Sequence, residues 1–182
     1  IDLGVCHPSE CANRLIEGKA DIGLIPVAMV AGMKEYHLVS DYCLSTNGEV
    51  RTVLLVSNTP FDEINTIYLD YRSRSSVTLC RILAAKAWKR EYRWFPAPEE
   101  FDITAMSHGE AAVMIGDRCF EYARHFRYKL DLGLEWKKFT GLPFVFACWV
   151  STRRLPEQFT AIFNKALSDG LERRNEAVSL LK

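Results

Sequence analysis

Runs of consecutive hydrophobic residues alternate along this chain with stretches in which hydrophobic residues recur every three or four positions. The runs at residues 20–26, 50–57 and 111–115 favour strands that are buried on both faces. Helical spacing is clearest at residues 156–170, where one stripe is hydrophobic and Gly170 marks the stop. Strands that alternate with helices predict an α/β protein with mainly parallel sheets.

The same pattern predicts the remaining elements. Further strands are expected at residues 1–6, 36–44, 67–69, 92–95 and 144–150. Further helices are expected between Pro8 and Gly18, at residues 77–88, 118–126 and 171–182, and after a loop within residues 130–139. Ligands of open α/β sheets sit beyond the carboxyl ends of the strands, so we expect a site near Pro26, Ser57, residues 70–76 and residues 116–117.

The loop at residues 70–76 joins a short strand to a helix and contains three serines and two arginines. Ser75 or Ser76 is a natural N-cap, because a serine oxygen accepts a free N–H group of the first helical turn. Such a helix start favours anions, and Arg72 and Arg74 can add a bidentate grip on a carboxylate. The plainer interpretation is a well-capped loop with two solvated arginines, and both interpretations stay open.

Composition argues against several classes of function. Lys and Arg number 23, and so do Asp and Glu, so no net positive charge points to nucleic acid or to an anionic membrane. The longest hydrophobic runs, residues 22–30 and 142–150, are too short to span a bilayer. The six cysteines include no C-x-x-C pair and share no ligand spacing with the four histidines, which argues against a zinc site. We expect a cytoplasmic protein with reduced thiols.

Four motifs occur in a fixed order along the chain. They are Ala-Asp-Ile-Gly-Leu-Ile-Pro-Val-Ala at 20–28, Asp-Tyr-Arg-Ser-Arg-Ser-Ser at 70–76, Ile-Gly-Asp at 115–117 and Glu-Trp-Lys-Lys-Phe-Thr-Gly-Leu-Pro-Phe-Val-Phe-Ala at 135–147. Together they resemble the menaquinone-biosynthesis family of the futalosine route, specifically its chorismate dehydratase branch. The last motif is the most specific.

The resemblance implies a type II periplasmic-binding-protein fold, an α/β fold with two lobes around a central cleft. Lobe one would comprise residues 1–56 and 141–182, lobe two residues 57–140, and residues 50–57 and 141–150 would cross between them. No counterpart of the family's N-terminal strand precedes Ile1, so we expect either that the chain was processed or that an earlier segment lies outside this sequence. Proteins built this way bind a ligand between the lobes and close on it.

The resemblance also implies a reaction, the loss of water from chorismate to give 3-[(1-carboxyvinyl)oxy]benzoate, which needs no cofactor and no metal. A substrate with two carboxylates requires cationic or N–H-rich partners. The expected substrate-binding residues are Thr52, Arg72, Arg74, Ser75, Ser76, Val77, Thr140 and Gly141. Asp117 is a candidate proton acceptor, although a role as N-cap of the following helix is favoured.

Three other functions remain open at this point. A non-catalytic solute-binding protein would share the fold, because fold does not fix function. The sister enzyme of the pathway, which makes a dihydroxynaphthoate, depends on a histidine, and no histidine here is securely matched to it. A ligand-sensing domain of a transcription regulator has no helix-turn-helix pattern to support it. A homodimer is also left open.

Overall fold

The computed structural model describes residues 2–70, 73–98 and 100–180, whose strands form a three-stranded and a five-stranded sheet. The smaller sheet contains β1 (Gly23–Pro26), β2 (His37–Thr46) and β8 (Phe144–Ser151) in the order β1-β8-β2, and both pairings are antiparallel. The larger sheet contains β3 (Val53–Ser57), β4 (Thr66–Leu69), β5 (Arg93–Pro96), β6 (Glu110–Ile115) and β7 (Tyr128–Asp131), in the order β5-β4-β6-β3-β7.

The prediction of mainly parallel sheets is wrong. Only β4 pairs in parallel, with β5 and with β6, whereas β3 runs antiparallel to β6 and β7. Hydrophobic runs indicate that a strand is buried, but they do not indicate its direction. Direction is decided here by the chain path, which enters the larger sheet at β3 and returns to the smaller one at β8.

Helices cover the sheets and confirm most of the predicted helical segments. The helices are α1 (Pro8–Ile16), α2 (Val27–Val30), α3 (Arg74–Ile82), α4 (Arg118–Tyr122), α5 (Leu132–Thr140), α6 (Glu157–Glu172) and α7 (Arg174–Leu180). α3 continues into a π-helical turn at Leu83–Trp88. Short 3-10 turns lie at Phe61–Glu63, Ile103–Ala105 and Ala123–His125.

Among the described residues, the smaller sheet has one hydrophobic core and the larger sheet has one on each face. α1 packs on the smaller sheet, where Ala12, Leu15, Ile25 and Val150 are fully buried. Gly23 is required at this contact, because a Cβ atom there would lie 2.9 Å from the sulfur of Cys11. In the larger sheet, the strand residues that face α3 pack against its buried side chains.

Two predicted elements differ from the structure. Residues 2–7 have no regular structure although a strand was predicted there. β7 was not predicted, and its last two residues fall in the loop expected from residue 130. Its charged residues weaken the strand pattern, and the pairing with β3 supplies the missing stabilisation. None of the helices in the described ranges has the length and hydropathy needed to cross a membrane.

The chain passes between the sheets twice, at residues 47–52 and at residues 141–143. The carboxylate of Asp131 fixes the first passage by accepting hydrogen bonds from the backbone N–H groups of Val50 at 3.0 Å and Arg51 at 2.7 Å. Arg51 has a left-handed backbone with φ 64°. The lobe limits 1–56, 57–140 and 141–182 stay a prediction, and β3 pairs within the larger sheet.

Candidate functional site

The amino end of α3 is held by a serine that precedes the predicted caps. Ser73 is extended, with φ −129° and ψ 106°, and its Oγ accepts a hydrogen bond from the backbone N–H of Ser76 at 3.2 Å. The Ser73 hydroxyl donates to the Ser76 Oγ at 2.8 Å. The prediction of Ser75 or Ser76 as the cap is therefore wrong, since the helix begins at Arg74 and these serines lie inside its first turn.

Ser75 connects this helix start to the smaller sheet. Its hydroxyl donates to the backbone carbonyl of Phe146 in β8 at 2.7 Å, and its Oγ accepts from the backbone N–H of Ala28 in α2 at 3.4 Å. Ser75 is only 3% exposed and Ser76 only 2%. The helix end with its positive dipole therefore lies at the junction of the two sheets, with its two serine hydroxyls already engaged by protein atoms.

Of the two arginines predicted for the site, the structure describes Arg74. This residue is exposed and forms no ion pair with any other residue that the structure describes. Arg72 lies outside the described residues. Val77 is half-buried and packs against the core of the larger sheet.

Thr52, in the first crossing, contacts Gly116, the residue that precedes Asp117. The backbone N–H of Gly116 donates to the carbonyl of Thr52 at 2.9 Å, and the hydroxyl of Thr52 donates to the carbonyl of Val50 at 3.4 Å. Asp117 is exposed and occupies the N-cap position of α4, but its side chain accepts no capping hydrogen bond. The favoured capping role is wrong because Asp117 already has helical angles, φ −62° and ψ −23°, rather than the extended ones of a cap.

Thr140 and Gly141 end α5 immediately before β8. The Thr140 hydroxyl donates to the carbonyl of Trp136 at 2.9 Å, and its Oγ1 accepts from the backbone N–H of Leu142 at 3.1 Å. Gly141 is left-handed, with φ 73°, as expected for a residue that terminates a helix. Both residues shape the second crossing, close in sequence to the Phe146 carbonyl that binds Ser75.

The carboxyl ends of the parallel strands β4, β5 and β6 surround a separate small cavity. Its volume is about 20 Å³, and its lining includes Asp70, Pro98, Phe101 and Arg118. That volume suits a single water molecule and no larger ligand. Arg118 was not among the expected site residues, and its position just after the Gly-Asp at the end of β6 is the signal that it lies at the strand ends.

The thiol of Cys119, next in sequence to Arg118 of this cavity, has low reactivity. It is buried, and burial chiefly raises its pKa to about 12, with smaller contributions from the charges of Asp131 and Asp70. Cys119 is therefore protonated at neutral pH and is a poor nucleophile. Nowhere in the described ranges do three His, Cys, Asp or Glu side chains come together in a way that could hold a metal ion.

Comparison with known proteins now identifies the family. A family model described as menaquinone biosynthesis matches residues 2–181. The chain belongs to the menaquinone biosynthesis family. This assignment gives it a role in the pathway that makes menaquinone.

Solved structures support the fold. Protein AF1704 from Archaeoglobus fulgidus is 15% identical, with a TM-score of 0.68 over 97% of this chain and 67% of the other. An ABC transporter from Parabacteroides distasonis is 21% identical, with a TM-score of 0.57 over 93% of this chain and 61% of the other. These similarities confirm a periplasmic-binding-protein-like α/β fold for this member of the menaquinone biosynthesis family, and the chain spans less than two thirds of the second protein's length.

Proposed function

We propose that this member of the menaquinone biosynthesis family is a chorismate dehydratase, a hydro-lyase that acts in the cytoplasm without a cofactor. The reaction breaks one ring C–H bond and one ring C–O bond of chorismate. A base takes the proton, a proton is delivered to the departing hydroxyl group so that it leaves as water, and the electron pair of the C–H bond completes the aromatic ring. The protein must hold a dianion, orient the ring and provide the base.

The observation that carries the proposal is the position of the α3 amino end. Ser75 joins it to β8 and to α2, so the amino end of a helix, which in general favours anions, lies where the two sheets meet. The exposed guanidinium of Arg74 adds a cation beside it. We assign one substrate carboxylate to this end, with Arg74 as its charged partner and Arg72, Ser75, Ser76 and Val77 as the surrounding residues.

The remaining residues of the proposed site lie in or beside the two crossings. Thr52 is hydrogen-bonded through its carbonyl to Gly116, which places Asp117 beside the first crossing. The Asp117 carboxylate is exposed and takes part in no hydrogen bond or ion pair with the described residues, so it is available to accept a proton. Thr140 and Gly141 border the second crossing. We propose Asp117 as the base and these residues as lining of the cleft.

The second candidate is a protein that binds a small anion without transforming it. The fold is compatible with this candidate, because fold does not fix function. The sister enzyme of the pathway is the third candidate, because the family assignment alone does not separate it from a chorismate dehydratase.

The test is to incubate the purified protein with chorismate, without added cofactor, and to follow the products by mass spectrometry. The proposal predicts a product lighter than chorismate by one water. Arg74→Gln removes a charge-assisted hydrogen bond, so kcat/KM should fall about ten- to a hundredfold. Arg154→Gln is the matched control, since Arg154 is an exposed arginine outside the proposed site.

Each result separates the candidates. Chorismate that stays unchanged and gives no protection against thermal unfolding would overturn the proposal and leave the sister enzyme. Chorismate that binds without turnover would favour the solute-binding function. Turnover that is equally fast in Arg74→Gln and Arg154→Gln would remove Arg74 from the site, and turnover unaffected by Asp117→Asn would remove the proposed base.

A further inference from the structure

Two cysteines face each other across neighbouring strands of the smaller sheet. Cys43 in β2 and Cys148 in β8 are direct partners in the antiparallel register. Directly opposed residues of antiparallel strands have Cα atoms about 4.5–5.5 Å apart and side chains on the same face. A disulfide requires Cα atoms about 4.4–6.8 Å apart, a range that includes the usual spacing of such opposed residues.

The two thiols differ in their surroundings. Cys43 is exposed, whereas Cys148 is half-buried and packs against the core cluster that contains Ile25 and Val150. Burial raises the pKa of the Cys148 thiol, and the neighbouring charge of Cys43 raises it further. A reagent from solution should therefore react first with the exposed thiol of Cys43. The less exposed thiol of Cys148 should react second.

We propose that Cys43 and Cys148 are a modification site that forms a reversible disulfide by exchange with a low-molecular-weight disulfide. The thiolate of Cys43 attacks one sulfur of the reagent, which gives a mixed disulfide and releases one reagent thiolate. The thiolate of Cys148 then attacks the Cys43 sulfur and expels the second reagent thiolate. The protein loses two electrons and two protons, and the reagent is reduced to two thiols.

The position of the bond gives it a structural consequence. β2 ends just before the first crossing and β8 begins just after the second, so the whole five-stranded sheet lies in the chain between the two cysteines. A disulfide here would link β2 and β8. These are the two strands of the smaller sheet that connect through the crossings to the larger sheet. It closes a long loop, which constrains the unfolded chain and should raise the melting temperature by several degrees.

The experiment is to incubate the folded, reduced chain with glutathione disulfide, alkylate the remaining thiols and map the cysteine peptides by mass spectrometry. The expected result is a linked peptide pair that contains Cys43 and Cys148, together with a higher melting temperature. Cys43→Ser and Cys148→Ser should each remove the link, and dithiothreitol should reverse it. Cys6→Ser is the matched control and should leave the link intact, because Cys6 is a half-buried thiol elsewhere in the chain.

Three results would overturn the proposal. Cys43 could carry only bound glutathione, Cys148 could be linked to Cys11 instead, or both thiols could remain reduced while the protein is folded. The same mapping in concentrated urea tests whether the link depends on the folded strands. In the unfolded chain, Cys43 and Cys148 should no longer be linked in preference to other cysteine pairs. Mapping of the unsubstituted chain decides the question even if a variant fails to fold.

Discussion

The hydroxyl of Ser75 donates a 2.7 Å hydrogen bond to the backbone carbonyl of Phe146 and thereby joins α3 of the larger sheet to β8 of the smaller one. Ser75 is almost completely buried, so this contact is shielded from solvent. A buried hydrogen bond between two layers of structure restricts how they move relative to each other. The amino end of α3 is consequently both a stabilising contact and the proposed anion site.

Replacement of Ser75 by alanine should destabilise the protein by about 1–3 kcal/mol, because the Phe146 carbonyl loses its partner in a buried position. The measurement is the free energy of unfolding from urea denaturation. Ser179→Ala is the matched control, since Ser179 is exposed and its hydroxyl bonds only within α7. Equal unfolding midpoints for the two variants would show that the Ser75 contact does not stabilise the fold.

Replacement of Asp131 by alanine should destabilise the protein by about 2–4 kcal/mol, because its carboxylate accepts several charge-assisted hydrogen bonds and also caps α5. The donors are the backbone N–H groups of Val50, Arg51 and Leu134. Urea denaturation measures the effect, and hydrogen exchange at Val50 and Arg51 should accelerate. Asp169→Ala, which removes one exposed ion pair, should change little, and a similar loss in both variants would contradict the role of Asp131.

Gly141→Ala and Gly170→Ala should change stability in opposite directions. A Cβ atom meets nothing within 4 Å at either position, so only the backbone decides the effect. Gly141 has φ 73°, where alanine costs about 1 kcal/mol or more. Gly170 lies within α6, where alanine should stabilise by up to about 1 kcal/mol. Thermal unfolding of both variants is the measurement, and a shift of the same sign in both would refute the backbone argument.

Stability should fall at alkaline pH because of Cys80. Burial raises the pKa of this thiol from its ordinary value of 9.0 to about 12. Above pH 9 the unfolded chain releases this proton while the folded chain keeps it, so the free energy of unfolding declines as pH rises towards the folded pKa. Urea denaturation at increasing pH should give a shallower decline for Cys80→Ala, whatever its stability at neutral pH, and an unchanged slope would contradict this assignment.

Parts of the fold follow from local sequence because they depend on a few neighbouring residues. Three elements are specified by residues that are close together in sequence. They are α6 by its hydrophobic stripe, β3 by its fully buried run and α1 by the proline at its start. The motif at residues 135–147 similarly indicated the family that the comparison later identified. Each of these features lies within a short segment, where the spacing of hydrophobic residues directly indicates which residues are buried.

The candidate site was only partly predictable. A helix that starts at the loop of residues 70–76 was predicted, but the capping serine was not, because three serines stand within four positions and backbone geometry selects among them. The contact of Ser75 with Phe146 could not be predicted, since it links residues 71 positions apart. The proximity of Cys43 and Cys148 was hidden for the same reason, as the cysteines are scattered in sequence.

The sequence by itself determined which segments are buried, most of the helices and the family to which the chain belongs. Only the tertiary structure decided the directions of the strands, the partner of each serine hydroxyl and the alignment of the two cysteines. The physical reason is that the chain passes twice between the sheets, which brings residues that are distant in sequence into contact. Periodicity specifies the face that an element buries, whereas the element it is buried against depends on contacts between distant parts of the chain.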